Sequence, residues 1–216
     1  QAEPPAVPQP APTNIPAGAI LASAMSQAAG QFLDSLSADG RSRAIYAFGD
    51  PERTRWHWTT PQGFPRNGIP LRDLDDAQRA AALALLQAGL TPSGYQKAQD
   101  IMALQSILGN DPLQYYVTVF GDPGGNTPWS WRWEGHHYSR HFTVIGDSVT
   151  MTPFFLGAWP TTTDAGLRAM AREEDAAREL ITLLDGGLRD QAIFDTRTLT
   201  RHVTQNAVAV TPLDSV

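Results

Sequence analysis

The stretch "WSWRWEGHHYSRHF", residues 129–142, gathers three of the chain's five histidines with one glutamate and three tryptophans. Imidazole and carboxylate hold zinc, copper or iron, and they also move protons near neutral pH. Spacing separates these chemistries. On a helix, His137 and His141 would lie one turn apart and could share an ion. The aromatic and β-branched neighbourhood says strand instead. There the two positions share a face but lie about 13 Å apart, at ~3.3 Å per residue, too far for one ion. His136 and His137 would point to opposite faces of a regular strand. Gly135 modifies that expectation, because a β-bulge there would re-aim the pair and bring Glu134 together with one imidazole.

Two readings of the cluster follow. In the first, Glu134, His136 and His137 form an acid–base site, with Arg55 stabilising an anion. Arg53, Trp56, His57 and Tyr116 would contact the ligand, a small polar molecule. Arg132 and Arg140 are further cations, and Glu174 is an alternative carboxylate. A divalent metal on His136 and His137 is a variant of this reading, with a third ligand from Glu134, His57 or His202. Ser139, about 7 Å along the strand from His137, is the nearest candidate nucleophile. In the second reading the segment is core. Trp129, Trp131 and Trp133 alternate and cover one face under helices, Tyr138, Phe142 and Val144 do likewise, and the histidines only bond to neighbours. The protein is then a binding or structural module. No nucleophile elbow, zinc-protease helix, phosphate loop or dinucleotide fingerprint occurs.

The elements around the cluster decide how it is held. Leu21, Met25, Ala28, Phe32 and Leu36 recur at helical spacing after a start near Asn14–Pro16. Residues 36–46 predict a short helix beginning after Ser37. Residues 49–70 carry four Pro and three Gly, a long loop around His57 of the sort that is often functional. A helix is expected from Asp73 to about Ala88, and another from Thr91–Pro92 to Gly109. Then "QYYVTVFG", "WSWRWEG", "HHYSRHFTVI" and "SVTMTPFFLG" predict an antiparallel meander of about four strands, with a hairpin at Gly146–Asp147. A helix returns over about 164–184, with Glu174 inside its apolar stripe and paired to Arg178. "LSADGRSRAIY" and "LDGGLRDQAIF" share a pattern that suggests a repeated helix–turn–helix element, and "AVAVTP" suggests a last strand. The fold class is α+β, helices flanking a central meander in sequence, as one domain over residues 17–216.

Composition bounds the partners. A chain of 216 residues with 42% hydrophobic residues supports a globular core. The net charge of −6, without a basic cluster, excludes a general nucleic-acid or anionic-membrane binder. No apolar run approaches the ~20 residues of a membrane span. Cysteine is absent, which removes thiolate ligands and nucleophiles. Six of the first sixteen residues are Pro and there is no initiator Met, so residues 1–16 are expected to be a disordered leader left by signal-peptide removal, and the protein secreted or periplasmic.

The strings "DPERTRWHW", "GYQKAQDIMALQSIL", "YYVTVFGDPG", "WSWRWEGHHYSRHFTVIGDSVTMTPFFLGAWP" and "EEDAARELI" resemble a bacterial family known as domain of unknown function 3500. The similarity runs from about residue 20 to the end. It implies no activity, and it agrees with export. His141 stands where the family pattern usually has Asn, which argues against an obligatory ligand there. The resemblance also implies that the chain is the N-terminal two-thirds of a family member, so that a C-terminal segment absent from this chain would be a partner of the site.

Overall fold

Residues 17–193 are described in a computed structural model. The leader, the helix start near Asn14–Pro16, His202 and the "AVAVTP" strand lie outside the described residues.

The first helix, α1 (Ala17–Ser35), buries Ala22, Met25, Ala28, Ala29, Phe32 and Leu33. Leu21 is exposed and Leu36 half-buried, so the core stripe centres on Met25, Ala29 and Phe32. Ser37 caps α2 (Ala38–Ala44) by accepting the Gly40 N–H at 3.1 Å. The helix expected at Asp73 begins later. Residues Leu71–Asp73 form a 3-10 turn, and α3 (Asp76–Ala88) starts at a capping box. Asp75 accepts the Gln78 N–H at 2.8 Å, and the Gln78 side chain accepts the Asp75 N–H at 3.1 Å. Thr91 caps α4 (Pro92–Ile107), with Pro92 in the first turn, where a missing N–H costs nothing.

The strands are β1 (Ile45–Tyr46), β2 (Ile69–Pro70), β3 (Tyr116–Phe120), β4 (Trp129–Gly135), β5 (Tyr138–Ile145), β6 (Ser148–Thr150) and β7 (Phe154–Leu156). β3, β4 and β5 are the expected antiparallel meander, and β5–β6 is the expected hairpin at Gly146–Asp147. Two features were not anticipated. β1 joins parallel to β3, so the sheet is mixed, and β2 pairs with the other end of β3. The fourth expected strand is split, with both halves, β6 and β7, pairing with β5. Pro153 stands between them and has no N–H for the ladder.

The sheet has two unlike faces. On one, Trp129, Trp131, Trp133, Tyr138, Phe142 and Val144 join Val117 and Val119 in the core shared with α1, α3 and α4. Trp131 lies opposite Phe142, their rings stacked at 4.3 Å. On the other, Thr118, Ser130, Arg132, Glu134, Ser139 and His141 are also buried. The loop between β1 and β2 covers this polar face through Glu52, Trp56 and Arg66.

After the sheet come α5 (Ala171–Leu183) and α6 (Gly186–Ala192), neither with a buried residue. α5 starts later than the sequence pattern suggests, because Thr163 and Leu167 close a turn through Leu167 N–H to Thr163 Oγ1 at 2.9 Å. Glu174 pairs with Arg178, as expected, and also with Arg168, each at 2.9 Å. The two similar strings share a short capped helix: α2 and α6 are both seven residues long, capped by Ser37 and Asp185.

Candidate functional site

His136 and His137 are the two connecting residues of the β4–β5 hairpin, with Gly135 opposite Tyr138. This corrects the expected bulge at Gly135. The pair no longer alternates across a strand, and the two rings lie 3.9 Å apart. His137 sits at φ 61, in the left-handed region that a non-glycine residue enters at a cost of about 1 kcal/mol. Its backbone is clamped on both sides. His137 N–H donates to the Trp58 carbonyl at 2.7 Å, and Gly157 N–H donates to the His137 carbonyl at 2.9 Å. Gly135 serves packing: a Cβ there would collide with the Tyr115 ring. That buried tyrosine donates its hydroxyl proton to the His136 carbonyl at 2.7 Å.

Gln105 on α4 fixes the His136 ring. Its Oε1 lies 2.7 Å from His136 Nδ1 and accepts from Asn110 Nδ2 at 3.1 Å. An amide oxygen only accepts, so this contact is a hydrogen bond in the tautomer that carries the imidazole proton on Nδ1 and leaves the basic lone pair on Nε2. Burial, with the charge of Arg66 second, holds the His136 pKa below its ordinary value. His57 is shifted the same way by the same two causes, and its Nδ1 accepts the Thr59 N–H at 3.0 Å. Both rings are therefore neutral in the fold at neutral pH.

The hairpin tip forms one wall of an open cleft of about 800 Å³, whose other walls include Trp58, Leu108, Asn110, Phe155 and Trp159. Trp58 stacks on Phe155 at 5.4 Å and lies 6.0 Å from the His137 ring. On its other side His57 lies 5.4 Å from Trp58 and stacks on Phe64 at 5.0 Å, and the Arg55 guanidinium sits over Phe64 at 4.4 Å. An aromatic series thus runs from Arg55 to the histidine pair.

Glu134 works in a different layer. It is 1% exposed and contacts Arg66 Nε at 2.6 Å and Arg132 Nε at 2.9 Å. Arg132 reaches on to Glu52 Oε1 at 2.7 Å and to the carbonyls of Glu52 and Arg55 at 2.8 and 2.7 Å. Asn67 donates to the other Glu52 oxygen at 2.8 Å. Arg66 donates to the carbonyls of His57, Thr59 and Phe64. Four ionisable side chains, Glu52, Arg66, Arg132 and Glu134, thus staple the loop to the sheet. Burial is the largest influence on Glu134 and raises its pKa against the pull of Arg132 and Arg66. Burial likewise lowers that of Arg66 against the pull of Glu134. Both shifts favour the neutral forms, as expected where desolvation exceeds mutual attraction.

The remaining sequence candidates divide between the layers. Tyr116 lies opposite Glu134 on β3, and Arg53 donates through Nε to the Phe48 carbonyl at 2.9 Å. Trp56 is buried edge-on to His141, ring centroids 5.4 Å apart. Ser139 meets His141, not His137: its Oγ lies 3.1 Å from His141 Nε2, and the serine is fully buried. His141 is held well below the ordinary imidazole pKa by burial and by the charges of Arg132 and Arg53. Sequence reasoning set His141 aside. The signal was the alternation Ser130, Arg132, Glu134 and Ser139, His141, Thr143, a polar stripe behind an aromatic one. Gln105 gave no signal beyond being a lone amide in an apolar helical run. Among the described residues no three His, Asp or Glu side chains gather to hold an ion, so a metal on His136 and His137 finds no third ligand here.

Fold and site together define an α+β protein whose aromatic and histidine-rich cleft is built on a hairpin tip. Residues 19–212 match the family described as "Protein of unknown function (DUF3500)", and the chain belongs to that family. No curated protein and no solved structure matches it. Among the described residues no helix is long and apolar enough to cross a membrane.

Proposed function

We propose that the protein binds a small, ring-bearing polar molecule in the cleft at the β4–β5 hairpin tip, with His136 as the hydrogen-bonding and proton-accepting group. The observation that carries this is the Gln105–His136 contact at 2.7 Å, which fixes one tautomer beside an aromatic surface. Clefts that hold small molecules combine apolar walls with a few placed polar groups, and this one pairs Trp58, Phe155 and Trp159 with His136 and Asn110. The positive φ at His137 supports the reading, because a strained residue persists where its surroundings over-determine it. Any chemistry at this cleft would be proton transfer through a neutral imidazole. Glu134 contributes indirectly, by fixing the loop that carries His57 and Trp58.

The test is a titration of the protein with methyl pyranosides and nucleosides, followed by the imidazole and indole resonances of His136 and Trp58. Saturable shifts are expected for at least one ring class. Trp58→Ala should weaken that binding roughly tenfold, the scale of one lost base–aromatic or sugar–aromatic stack. Absence of shifts across both classes would overturn the reading.

A further inference from the structure

The loop does not seal the polar face of the sheet throughout. Between the 3-10 turn Pro51–Thr54 and strands β4 and β5 lies a cavity of about 260 Å³. Arg53, Trp56, Phe120, Ser130, His141 and Thr143 line it, and it shares no lining residue with the hairpin-tip cleft.

Three observations say what would occupy it. First, Ser130 is 4% exposed and its Oγ has no hydrogen-bond partner among the described residues. A buried hydroxyl without a partner is uncommon and calls for one. Second, charge is unbalanced. Arg53, Arg55, Arg66 and Arg132 stand in this layer against Asp50, Glu52 and Glu134, four cations to three anions, in a chain of net charge −6. Arg53 is the cation at the cavity, and it forms no ion pair among the described residues. Burial is the largest cause of the depressed His141 pKa, and the charges of Arg132 and Arg53 add to it. Third, Trp56, Phe120, Trp131 and Pro153 give the wall an apolar part, beside Thr54, Thr143 and Thr152, against which a hydrocarbon or aromatic body can lie.

We propose that this cavity is a binding site for a small monocarboxylate. The carboxylate meets Arg53 and accepts the Ser130 hydroxyl proton, and the apolar body lies against Trp56 and Phe120. A space of about 260 Å³ lies just below the ~300 Å³ at which small-molecule clefts begin, so the ligand is no larger than a single substituted ring such as benzoate. Inorganic anions would satisfy the charge but not the aromatic wall.

Calorimetric titration with benzoate, with benzamide and inorganic phosphate as controls, tests this on the intact chain. One benzoate per chain is expected, perturbing the His141 imidazole resonance and leaving that of His136 in place. Benzamide and phosphate should each bind at least roughly tenfold more weakly, since a charged hydrogen bond or the aromatic wall is then lost. Arg53→Gln should weaken benzoate roughly tenfold and Ser130→Ala several-fold, with circular dichroism confirming that both remain folded. The proposal fails if benzamide binds as tightly as benzoate, or if neither variant alters the affinity. It also fails if phosphate matches benzoate, or if no saturable heat is seen. A benzoate effect on His136 instead of His141 would place the ligand in the hairpin-tip cleft and overturn this site.

Discussion

Glu134 stands beside two histidines in the sequence, yet its side chain belongs to a buried ion network on the polar face of the sheet. Strand alternation explains this: Glu134 shares a face with Arg132 and Ser130, while the histidines occupy the turn beyond. A carboxylate that served only catalysis could be removed with little loss of stability. One that answers two buried guanidiniums could not, since its removal leaves Arg66 and Arg132 short of countercharge. Glu134→Ala should therefore destabilise the protein by about 3–5 kcal/mol in urea unfolding. A neutral or stabilising outcome would return Glu134 to the list of candidate acids. The same geometry shows how far the site was legible. His136 and His137, singled out by residue type, line one cleft, and His57 and Arg55 belong to the aromatic series beside it. Residue type could not pick out Gln105, because a partner 31 residues away on a helix leaves no mark in a local pattern. Distance along the strand set Ser139 beside His137, whereas Ser139 meets His141 on the buried polar face.

At the scale of elements, signals that act within a few residues were readable, and signals that depend on distant contacts were not. Ser37 and Thr91 cap helices where the sequence placed their starts, whereas α3 opens at Asp75 and not at Asp73. The short edge strands β1 and β2 have two residues each and owe their existence to β3, so no periodicity announced them. The hairpin is the instructive case. Gly135 suggested a bulge, and it proved to be the residue that admits the Tyr115 ring beneath the turn. Adding a methyl group there forces the ring away and strains its hydroxyl contact with the His136 carbonyl. Gly135→Ala should cost about 1–3 kcal/mol of stability, the usual penalty for overpacking. It should also weaken ligand binding at the hairpin-tip cleft, because the turn that aims His136 would shift. Wild-type stability in this variant, read by the same urea titration, would mean that the Tyr115 ring relaxes freely and does not fix the turn.

The whole molecule is a sheet covered by helices on an aromatic face and by a loop on a polar one, and the second cover makes its stability sensitive to acid. His57, His136 and His141 all have pKa values lowered in the fold from the ordinary 6.5, first by burial in each case. For such a group the unfolded chain binds protons at a higher pH than the native one. Its contribution is complete above pH 6.5 and is lost as pH falls through the lowered native value. Glu134 has the opposite sign: with its pKa raised from 4.5, the native state takes up its proton first, which favours the fold as pH falls. The two effects oppose each other, so the bare pH profile does not separate them. Replacing His141 does, since it is the imidazole held furthest below its ordinary value and faces Arg53, Arg132, Trp56 and Ser139. The wild-type protein should lose stability on acidification below about pH 6.5, the ordinary histidine pKa. In His141→Asn that slope should be shallower, whatever the variant's stability at neutral pH. Urea unfolding at a series of pH values measures both. An unchanged slope would show that His141 takes up its proton as readily in the fold as in the unfolded chain, so that on acidification the loop-covered face accommodates a third buried cation beside Arg66 and Arg132.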